Sequence, residues 1–303
     1  MPEPSVEAQR LLRERHEARL AKDFSRADAI RDEIASLGFD VHDTPEGATL
    51  TERASYEVVD PARISSVLDE PASLAFSIHV LYEGFLDDVR RFVEGMEKHA
   101  AGADHEIVIV DNASPDGEAL ESFASERVRV LHLQPATTWA EARNAGLKTS
   151  RGRILILADL SVEPAGDVFG PIEEALADPD VGVAGPWGIV SEDMREFTAS
   201  PGPEVDAIEG YFLATRRELL AKGLIYEKFR WYRHADIDLS FQLRALGTRA
   251  IVVGVPVEKH IHRGWAAFDE EERAKRSKRN WNIFFDRWKH QHHMLLSHRE
   301  DPA

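Results

Sequence analysis

The sequence contains no cysteine among its 303 residues, so disulfide bonds, thiolate catalysis and cysteine-ligated zinc are excluded. Basic residues are also few relative to acidic ones, 37 against 54, which gives a formal net charge of −17. A surface this acidic repels polyanions, and nucleic acid is therefore not an expected partner. A phosphorylated substrate would need a local cation, either a metal ion or a cluster of arginine and lysine side chains.

Long apolar segments are missing as well. No run approaches the roughly 18 apolar residues that a membrane-spanning helix needs. The N-terminus, Met1-Pro2-Glu3-Pro4, lacks the basic region and apolar core of a secretory signal. These absences favour a cytoplasmic protein. Its length and its 43% hydrophobic content suffice for one large domain, or one domain with an appendage.

The first part of the chain, residues 6–37, is dense in charge and carries apolar residues at helical spacing. The pattern breaks near Lys22–Ser25, and Gly38 is well placed to end a second helix. The sequence therefore predicts a helical hairpin, followed by an extended piece and a turn over Val41–Gly47. The apolar positions that support the hairpin are Leu11, Leu12, Leu20, Phe24, Ile30 and Ile34.

The stretch "LAKDFSRADAIRDEIASLGFDVHDTPEGATL", residues 20–50, resembles the C-terminal tail of cysteinyl-tRNA synthetases. In that family the element belongs to the tRNA-binding part of the enzyme. The catalytic region of a synthetase is absent here, so the resemblance implies no synthetase activity. Basic residues do not outnumber acidic ones in this stretch, and an RNA-binding surface is not expected. We expect residues 1–50 to form an interaction or dimerisation module.

Residues 51–73 are poor in apolar side chains and are predicted to form a linker with at most one short helix. Beyond them, strand patterns alternate with helical patterns. This alternation predicts a parallel sheet that is covered on both faces. The predicted strands are 76–81, 106–110, 128–133, 153–158 and 250–253, and the predicted helices are 85–99, 118–125, 139–148, 168–177 and 238–246.

The C-terminal segment, residues 266–303, has a different composition. From Arg273 to Arg299 it contains eight lysines or arginines and a single acid, Asp286. Its aromatic residues fall on one face of a helix. We expect this face to pack on the preceding domain, with a membrane-surface or partner-binding helix as the alternative. The residues of this face are Trp281, Phe284, Phe285 and Trp288.

Ligands of parallel α/β sheets bind where the strands end at their carboxyl edge. The strand 106–110 runs directly into Asp111-Asn112-Ala113-Ser114-Pro115-Asp116-Gly117, which places carboxylates at that edge. Asp111 can there accept a hydrogen bond from the imide N–H of a uracil-type base. The same string also suits an ordinary turn. A Rossmann dinucleotide site is disfavoured, because no Gly-x-Gly-x-x-Gly follows the first strand.

Five segments together resemble family 2 glycosyltransferases, the inverting enzymes with the GT-A fold. In order they are "EIVIVDNASPDG", "WAEARNAGLKTSRGRILILADLSVEP", "EGYFLATRRELL", "WYRHADIDLSFQLRALGTRAIVV" and "EKHIHRGW". The resemblance covers residues 74–265. It implies an α/β fold with a mixed, mostly parallel sheet flanked by helices. It also implies transfer of a sugar from a nucleotide-sugar donor, a UDP-sugar first, to an acceptor hydroxyl that the sequence does not identify.

The resemblance further implies a divalent cation, Mg²⁺ or Mn²⁺, held by an Asp-x-Asp string at a strand end. This chain reads Asp159-Leu160-Ser161, and a hydroxyl is a much weaker ligand than a carboxylate. Either Asp159, a histidine and the diphosphate hold the cation, or arginines share the neutralisation. Arg143 is the first candidate, with a surface ion pair as its alternative role. The donor-binding residues implied by the resemblance are Val80, Tyr82, Glu83, Asp111, Arg143, Asp159 and Ser161.

The resemblance places a metal-contacting histidine in His260-Ile261-His262. Alternate residues of an extended segment point to opposite sides, so only one of the two histidines is expected to face the site. His262 fits the family spacing slightly better. Both are candidate metal ligands.

The acceptor hydroxyl must lose its proton as it attacks the sugar, and a carboxylate can act as the base. In the family this base lies in a Glu-Asp-x-Asp string, which here reads Ala235-Asp236-Ile237-Asp238. Asp236 is therefore the predicted catalytic base. Its alternative role is to cap the helix predicted at 238–246. We expect Asp111, Asp159 and Asp236 to converge on one crevice.

Two other functions remain open. The replacement of two family acids, by Ser161 and Ala235, suits a weakly active or inactive nucleotide-sugar-binding protein. A nucleotidyltransferase is the other alternative, although no glycine-rich basic phosphate loop is visible. Three aromatic residues, Trp187, Trp231 and Tyr232, are candidates for the acceptor side.

Overall fold

The computed structural model describes residues 4–44, 47–100 and 102–299. The chain divides into two compact units, Met1–Glu57 and Val58–Ala303. Among the described residues, no helix combines the length and the apolar character that crossing a bilayer requires.

The first unit is a helical hairpin followed by a β-hairpin. Helices α1 (Val6–Leu20) and α2 (Phe24–Ser36) are followed by the antiparallel strands β1 (Phe39–Thr44) and β2 (Gly47–Glu52). The Ser5 and Asp23 side chains cap the two helices, each by accepting a backbone N–H of the first turn. This confirms the predicted helices and extended piece; residues 45 and 46 of the predicted turn lie outside the described residues. The core of this unit consists of Leu11, Ile30, Ile34 and Val41.

The second unit is built around a large mixed sheet. Its strands in chain order are β3 (Val58–Val59), β4 (Leu74–Leu81), β5 (His105–Asn112), β6 (Val128–Leu133), β7 (Gly152–Ala158), β8 (Val162–Pro164), β9 (Val181–Gly185), β10 (Gly188–Val190), β11 (Thr198–Ser200), β12 (Glu204–Val205), β13 (Ala207–Ile208), β14 (Phe212–Arg216), β15 (Arg249–Val252) and β16 (Val257–Lys259). The helices are α3 (Leu86–His99), α4 (Gly117–Glu121), α5 (Trp139–Thr149), α6 (Phe169–Leu176), α7 (Arg217–Leu220), α8 (Ala235–Arg244), α9 (Arg263–Ala266) and α10 (Glu270–Trp288), with 3-10 turns at Pro61–Arg63, His292–Met294 and Leu296–His298.

The described strands of the large sheet lie in the order β12-β15-β9-β14-β7-β4-β5-β6-β3. Strands β3 to β7 of this sheet pair in parallel, whereas β14 runs antiparallel between β7 and β9. The predicted mixed, mostly parallel sheet is thus confirmed. Because β14 is reversed, its first residue lies beside the last residue of β7, Phe212 opposite Ala158.

The sheet is buried on both faces, as its nearly continuous apolar strands predict. In β5, Ile107 and Ile109 pack into one core layer, and Val108 and Val110 pack into the layer on the other face. These two apolar layers pack the sheet between helices. The polar residues lie at the carboxyl ends of β4, β5 and β7, beyond the apolar layers.

The predicted linker is only partly a linker. Residues 51 and 52 belong to β2, and Val58–Val59 pairs in parallel with β6 as an edge strand of the large sheet. The short helix expected in this segment is the 3-10 turn Pro61–Arg63.

The C-terminal helix α10 packs on the second unit with its aromatic face. Phe284 and Trp288 are buried, and their rings lie 5.3 and 5.4 Å from the ring of Phe241 in α8. Trp281 and Phe285 are half-buried and stack on each other. The packing interpretation of this face is therefore correct.

Candidate active site

The polar residues of the site begin where β7 ends. Asp159 is 8% exposed, and its Oδ1 accepts both the backbone N–H (2.7 Å) and the hydroxyl (2.5 Å) of Ser161. The Asp159 N–H donates to the carbonyl of Tyr211, just before β14 (3.0 Å). Ser161 therefore orients the Asp159 carboxylate.

Three potential metal ligands converge beside Asp159. His262 Nε2 lies 3.2 Å from Asp159 Oδ2 and 3.3 Å from Glu83 Oε2, and all three ligand atoms lie within 4.8 Å of one another. Neither contact of Nε2 has hydrogen-bond alignment, and within the described ranges this buried nitrogen has no other hydrogen-bond partner. Glu83 follows β4 and His262 precedes α9, so separate elements bring these side chains to the sheet edge.

The two carboxyl groups of this cluster titrate differently. Glu83 is exposed as a residue, but desolvation of its carboxyl group and the negative charge of Asp159 raise its pKa to about 7. Burial opposes ionisation of Asp159, but His262 and the hydrogen bonds from Ser161 lower its pKa to about 2. Below about pH 7 Glu83 is therefore protonated beside an ionised Asp159, and a cation bound there would compete with that proton.

Arg143 brings a fixed cation to the same edge. It lies on α5, whose start is held by a capping box between Thr138 and Glu141. The Arg143 side chain is 4% exposed, and its Nη1 donates to the carbonyl oxygens of His79 (3.1 Å) and Ala158 (2.9 Å). Arg143 is thus buried at the ends of β4 and β7, and the alternative of a surface ion pair is wrong.

Asp236 lies in the first turn of α8. Its Oδ2 accepts the N–H of Gly210 (2.8 Å) and its Oδ1 accepts the N–H of Ile237 (3.0 Å). Burial raises the pKa of Asp236. The helix begins at Ala235 with His234 as its N-cap in the left-handed region (φ 66°), three residues earlier than predicted. Capping of a helix over 238–246 by Asp236 is therefore wrong.

Two adjoining cavities meet at Asp236. Arg143, Asp159 and Gly210 line the first, whereas Arg195 and Arg233 line the second, which has a volume of about 250 Å³. The residues that line both are Tyr211, Tyr232 and Asp236. A proton acceptor between two cavities suits a reaction that joins two substrates.

Asp111 lies at the same sheet edge, but its carboxylate lines neither of these cavities. It is 2% exposed; its Oδ2 accepts from His132 Nδ1 (2.7 Å) and its Oδ1 from the Ser114 N–H (2.8 Å). His132 also contacts Glu121 through Nε2 (2.9 Å). Burial opposes ionisation of Asp111, but His132 and Ser114 lower its pKa. The expected convergence therefore holds for Asp159 and Asp236 and not for the Asp111 carboxylate.

Three other predicted residues lie apart from the cavities. Val80 is fully buried in the hydrophobic core, so its side chain is unavailable to a ligand. Tyr82 donates its hydroxyl hydrogen to Asp116 (2.6 Å). His260 contacts Glu163 (2.8 Å), whereas His262 contacts Glu83 and Asp159.

The aromatic candidates contribute unequally. Tyr232 lines both cavities and stacks on His262 with ring centroids 4.7 Å apart. Trp187 and Tyr211 share a cation, since Lys259 Nζ lies 4.1 Å from each ring centroid. The roles of Gly210, Tyr211 and Lys259 were missed from the sequence; the strings "EGYF" and "EKHIHRGW" were their only signals.

Comparisons with known proteins match the two units to different families. The sequence model described as glycosyl transferase family 2 matches residues 81–239, and the one described as cysteinyl-tRNA ligase anticodon binding domain matches residues 1–49. Cysteine–tRNA ligase of Nitratidesulfovibrio vulgaris strain DP4 is 68% identical over 38 residues, 12% of this chain. The chain spans only 8% of the length of that relative.

Two solved structures share the fold at low sequence identity. GalNAc-T7, crystallised with UDP, GalNAc and Mn²⁺, superposes with a TM-score of 0.59 and 15% identity, over 72% of this chain and 50% of that chain. The mannosyltransferase PcManGT from Pyrobaculum calidifontis, in complex with GDP-Man and Mn²⁺, has a TM-score of 0.53 and 19% identity, over 76% of this chain and 75% of its own.

Proposed function

Because the chain belongs to glycosyl transferase family 2, whose sequence model covers more than half of it, we propose that it is an inverting glycosyltransferase. It moves a sugar from a nucleoside diphosphate sugar, a UDP-sugar first, to an acceptor hydroxyl. The observation that carries this proposal is the first cavity, where Arg143, Asp159 and Asp236 share one wall at the carboxyl edge of the sheet. The cavity combines a fixed cation, a candidate metal ligand and a candidate base.

Arg143 acts on the leaving group. When the bond between the anomeric carbon and the diphosphate oxygen breaks, negative charge grows on the phosphate oxygens. The Arg143 guanidinium is held by backbone carbonyls, without an ion pair to any carboxylate of residues 4–44, 47–100 and 102–299. Its charge is therefore available to stabilise the departing nucleoside diphosphate.

The donor set around Asp159 fits a divalent cation. Two carboxylates and an imidazole whose buried Nε2 lacks an aligned hydrogen bond are ligands that Mg²⁺ or Mn²⁺ accepts. Glu83 and Asp159 would hold the ion. His262 Nδ1 accepts the Trp265 N–H (3.1 Å), which leaves a hydrogen on Nε2. His262 would become a third ligand through Nε2 only if that hydrogen moved to Nδ1, which would break the contact with Trp265. The bound cation would neutralise charge on the diphosphate.

Asp236 acts on the acceptor. The acceptor oxygen attacks the anomeric carbon, the new C–O bond forms as the diphosphate leaves, and Asp236 takes the hydroxyl proton. The raised pKa of the Asp236 carboxyl group suits this role, because it strengthens the base. The second cavity lies on the far side of Asp236 and is the proposed acceptor site.

All of these residues belong to the unit Val58–Ala303, so the proposal leaves Met1–Glu57 as an interaction module. We propose that the protein acts in the cytoplasm. Its acceptor is a small molecule or a polymer other than nucleic acid. The alternative, a nucleotide-sugar-binding protein without transfer activity, is favoured by one observation, the use of Ser161 to orient Asp159 where the family has a second acid.

Ligand-induced thermal shifts test the proposal. UDP and GDP are compared with and without Mn²⁺, and the release of nucleoside diphosphate is then measured with a panel of sugar nucleotides. We expect UDP with Mn²⁺ to raise the melting temperature most, because a ligand of the folded state stabilises it by mass action. An Asp159→Asn variant should lose the part of the shift that depends on Mn²⁺. Binding without turnover of any donor would favour the inactive alternative, and absence of nucleotide binding would exclude both.

A further inference from the structure

The second cavity carries positive charge that the acids in its wall do not neutralise. Arg195 and Arg233 line it, and neither lies within ion-pair distance of any carboxylate of the described residues. The cavity also contains two acids. Glu209 is paired with Lys259, outside the cavity wall, and Asp236 is held by two backbone N–H groups.

Both arginines are positioned by aromatic rings. The Arg195 guanidinium lies 5.7 Å from the ring centroid of Phe285, and that of Arg233 lies 5.7 Å from the ring centroid of Trp265. A guanidinium that stacks on a ring keeps the N–H groups of its edge free for a two-point contact with carboxylate or phosphate oxygens. Neither guanidinium is paired with a carboxylate of the described residues, so both can contact an anionic ligand.

The segment that carries Arg195 is fixed by its own hydrogen bonds. Asp193 Oδ1 accepts the N–H of Arg195 (2.8 Å), and Ser191 Oγ accepts the N–H of Met194 (2.9 Å), a fully buried residue with a positive φ of 63°. The acids Glu192 and Glu196 flank this turn and are exposed. The backbone position of Arg195 is therefore fixed, and its exposed side chain extends from this turn.

The segment that carries Arg233 is fixed from α10. The buried Asn280 donates through Nδ2 to the carbonyl oxygens of Trp231 (2.6 Å) and Arg233 (2.8 Å). His234 follows in the left-handed conformation. Its Nδ1 is buried, and none of the described residues supplies a hydrogen-bond partner for it, although the residue lines the cavity. His234 therefore adds an imidazole ring to the wall of the cavity.

We propose that the second cavity recognises its acceptor by an anionic group, a phosphate or a carboxylate, held between Arg195 and Arg233. This inference rests on the proposed transferase activity and specifies its acceptor class. The anion lies in the cavity with His234 beside it, so that a neighbouring hydroxyl of the acceptor reaches Asp236. An acidic protein thereby binds an anionic acceptor through a local excess of arginine.

Calorimetric titration of three small sugars into the full chain tests this proposal. The protein is first saturated with UDP and Mn²⁺, which occupies the donor side. The probes are glucose 6-phosphate, glucuronate and neutral methyl glucoside, and they distinguish phosphate, carboxylate and an uncharged sugar. The variants are Arg195→Gln and Arg233→Gln, both at exposed side chains. Arg153→Gln is the matched control, because Arg153 is an exposed arginine at the start of β7, paired with Glu173.

At least one anionic sugar should bind about tenfold more tightly than methyl glucoside, and each cavity variant should weaken it by about tenfold. The control should bind as the unmodified protein does. The inference would be overturned if methyl glucoside bound as tightly as the anionic sugars, or if neither anionic sugar bound. It would also be overturned if both cavity variants bound the anionic sugars as tightly as the unmodified protein does. Absence of a UDP and Mn²⁺ shift in the unmodified chain would instead overturn the proposed function.

Discussion

At the scale of single residues, the carboxyl group of Asp236 is held at both of its oxygens. Its two carboxylate oxygens accept backbone N–H groups from different segments, Gly210 before β14 and Ile237 within α8. These bonds fix the carboxyl group between the two cavities while burial raises its pKa. A side chain held in this way can receive a proton without moving.

The first prediction concerns removal of this base. Asp236→Asn preserves size and shape but cannot take a proton, so transfer should fall by about 100- to 10,000-fold. The thermal shift by UDP and Mn²⁺ should remain, because Arg143, Asp159 and Glu83 are unchanged. Product formation is measured over a range of pH; in the unmodified enzyme it should decline on acidification at a higher pH than an exposed aspartate would give. Near-normal turnover by the variant would remove Asp236 from the mechanism.

The second prediction concerns Gly210. A Cβ at this position would lie 2.8 Å from Asp236 Cβ and 3.3 Å from its Oδ2. Gly210→Ala should therefore displace the carboxyl group, lower the unfolding free energy by about 1 to 3 kcal/mol and reduce transfer while nucleotide binding persists. Gly223→Ala is the control, because its new Cβ would meet only Gln242 Oε1 at 3.6 Å. Equal activity of the two variants would contradict the proposed role of this close approach.

The site residues were predictable from the sequence to different extents. Asp159 and Asp236 were placed by the family resemblance, Asp159 after a predicted strand and Asp236 just before a predicted helix, and the fold brings both to one cavity. Asp111 satisfied the same rule, yet its carboxylate turned to His132, a residue on the neighbouring strand β6. The sequence pattern indicates which strand end carries an acid. The residue that hydrogen-bonds to that acid depends on the register between neighbouring strands, and the pattern does not give this register.

At the scale of elements, α10 holds the helix that carries Asp236. The fully buried Asp238 accepts from Trp288 Nε1 (2.8 Å) and Gln242 Nε2 (3.0 Å), and it pairs with Arg287. Its family counterpart is the last acid of the base-carrying string. In this protein Asp238 joins α8 to α10, so the C-terminal helix supports the turn that carries the proposed base Asp236.

The third prediction follows from the protonation of Asp238. Burial raises its pKa from 3.8 to about 6, so between these values the folded state binds more protons than the unfolded state. The contribution of Asp238 to the unfolding free energy is therefore fully present below about pH 4 and falls as pH rises, by about 3 kcal/mol in total above pH 6. Asp238→Asn cannot ionise and should lack this part of the pH profile.

Urea unfolding at about pH 4, 6 and 7.5 measures the effect. The stability of Asp238→Asn relative to the unmodified protein should increase with pH. Asp286→Asn, at an exposed acid of the same helix that pairs with Lys289, should follow the unmodified profile. Parallel profiles for the unmodified protein and Asp238→Asn would show that Asp238 titrates normally.

Helices and strands with a clear hydrophobic periodicity were predictable. Elements that depend on pairing with strands far away in the sequence were not. Strand β6 was predicted with both ends correct, and α5 to within one residue. The edge strand Val58–Val59 was assigned to the linker, because two residues carry no period and its pairing with β6 is a long-range contact. The start of α8 was missed because His234 adopts a positive φ and offers no side-chain cap.

At the scale of the whole molecule, each unit contains a hydrophobic core of its own. The core of the first unit is formed within residues 1–57, whereas every residue of the two cavities lies beyond residue 138. The candidate cation site adds Glu83, also in the second unit. Nothing in the proposed chemistry draws on a side chain of the first unit.

The fourth prediction is that a chain starting at Val58 keeps the donor site. Its melting temperature should still rise with UDP and Mn²⁺ to the same extent as that of the full chain, because ligand stabilisation depends only on binding to the folded second unit.

The full chain should show no binding to bulk tRNA at physiological salt, since acidic residues outnumber basic ones in residues 1–50 and phosphate contacts need a basic surface. Differential scanning calorimetry and fluorescence anisotropy measure the two effects. Loss of the nucleotide shift in the shortened chain would show that the first unit contributes to the donor site, and salt-sensitive tRNA binding by the full chain would assign the first unit an RNA contact.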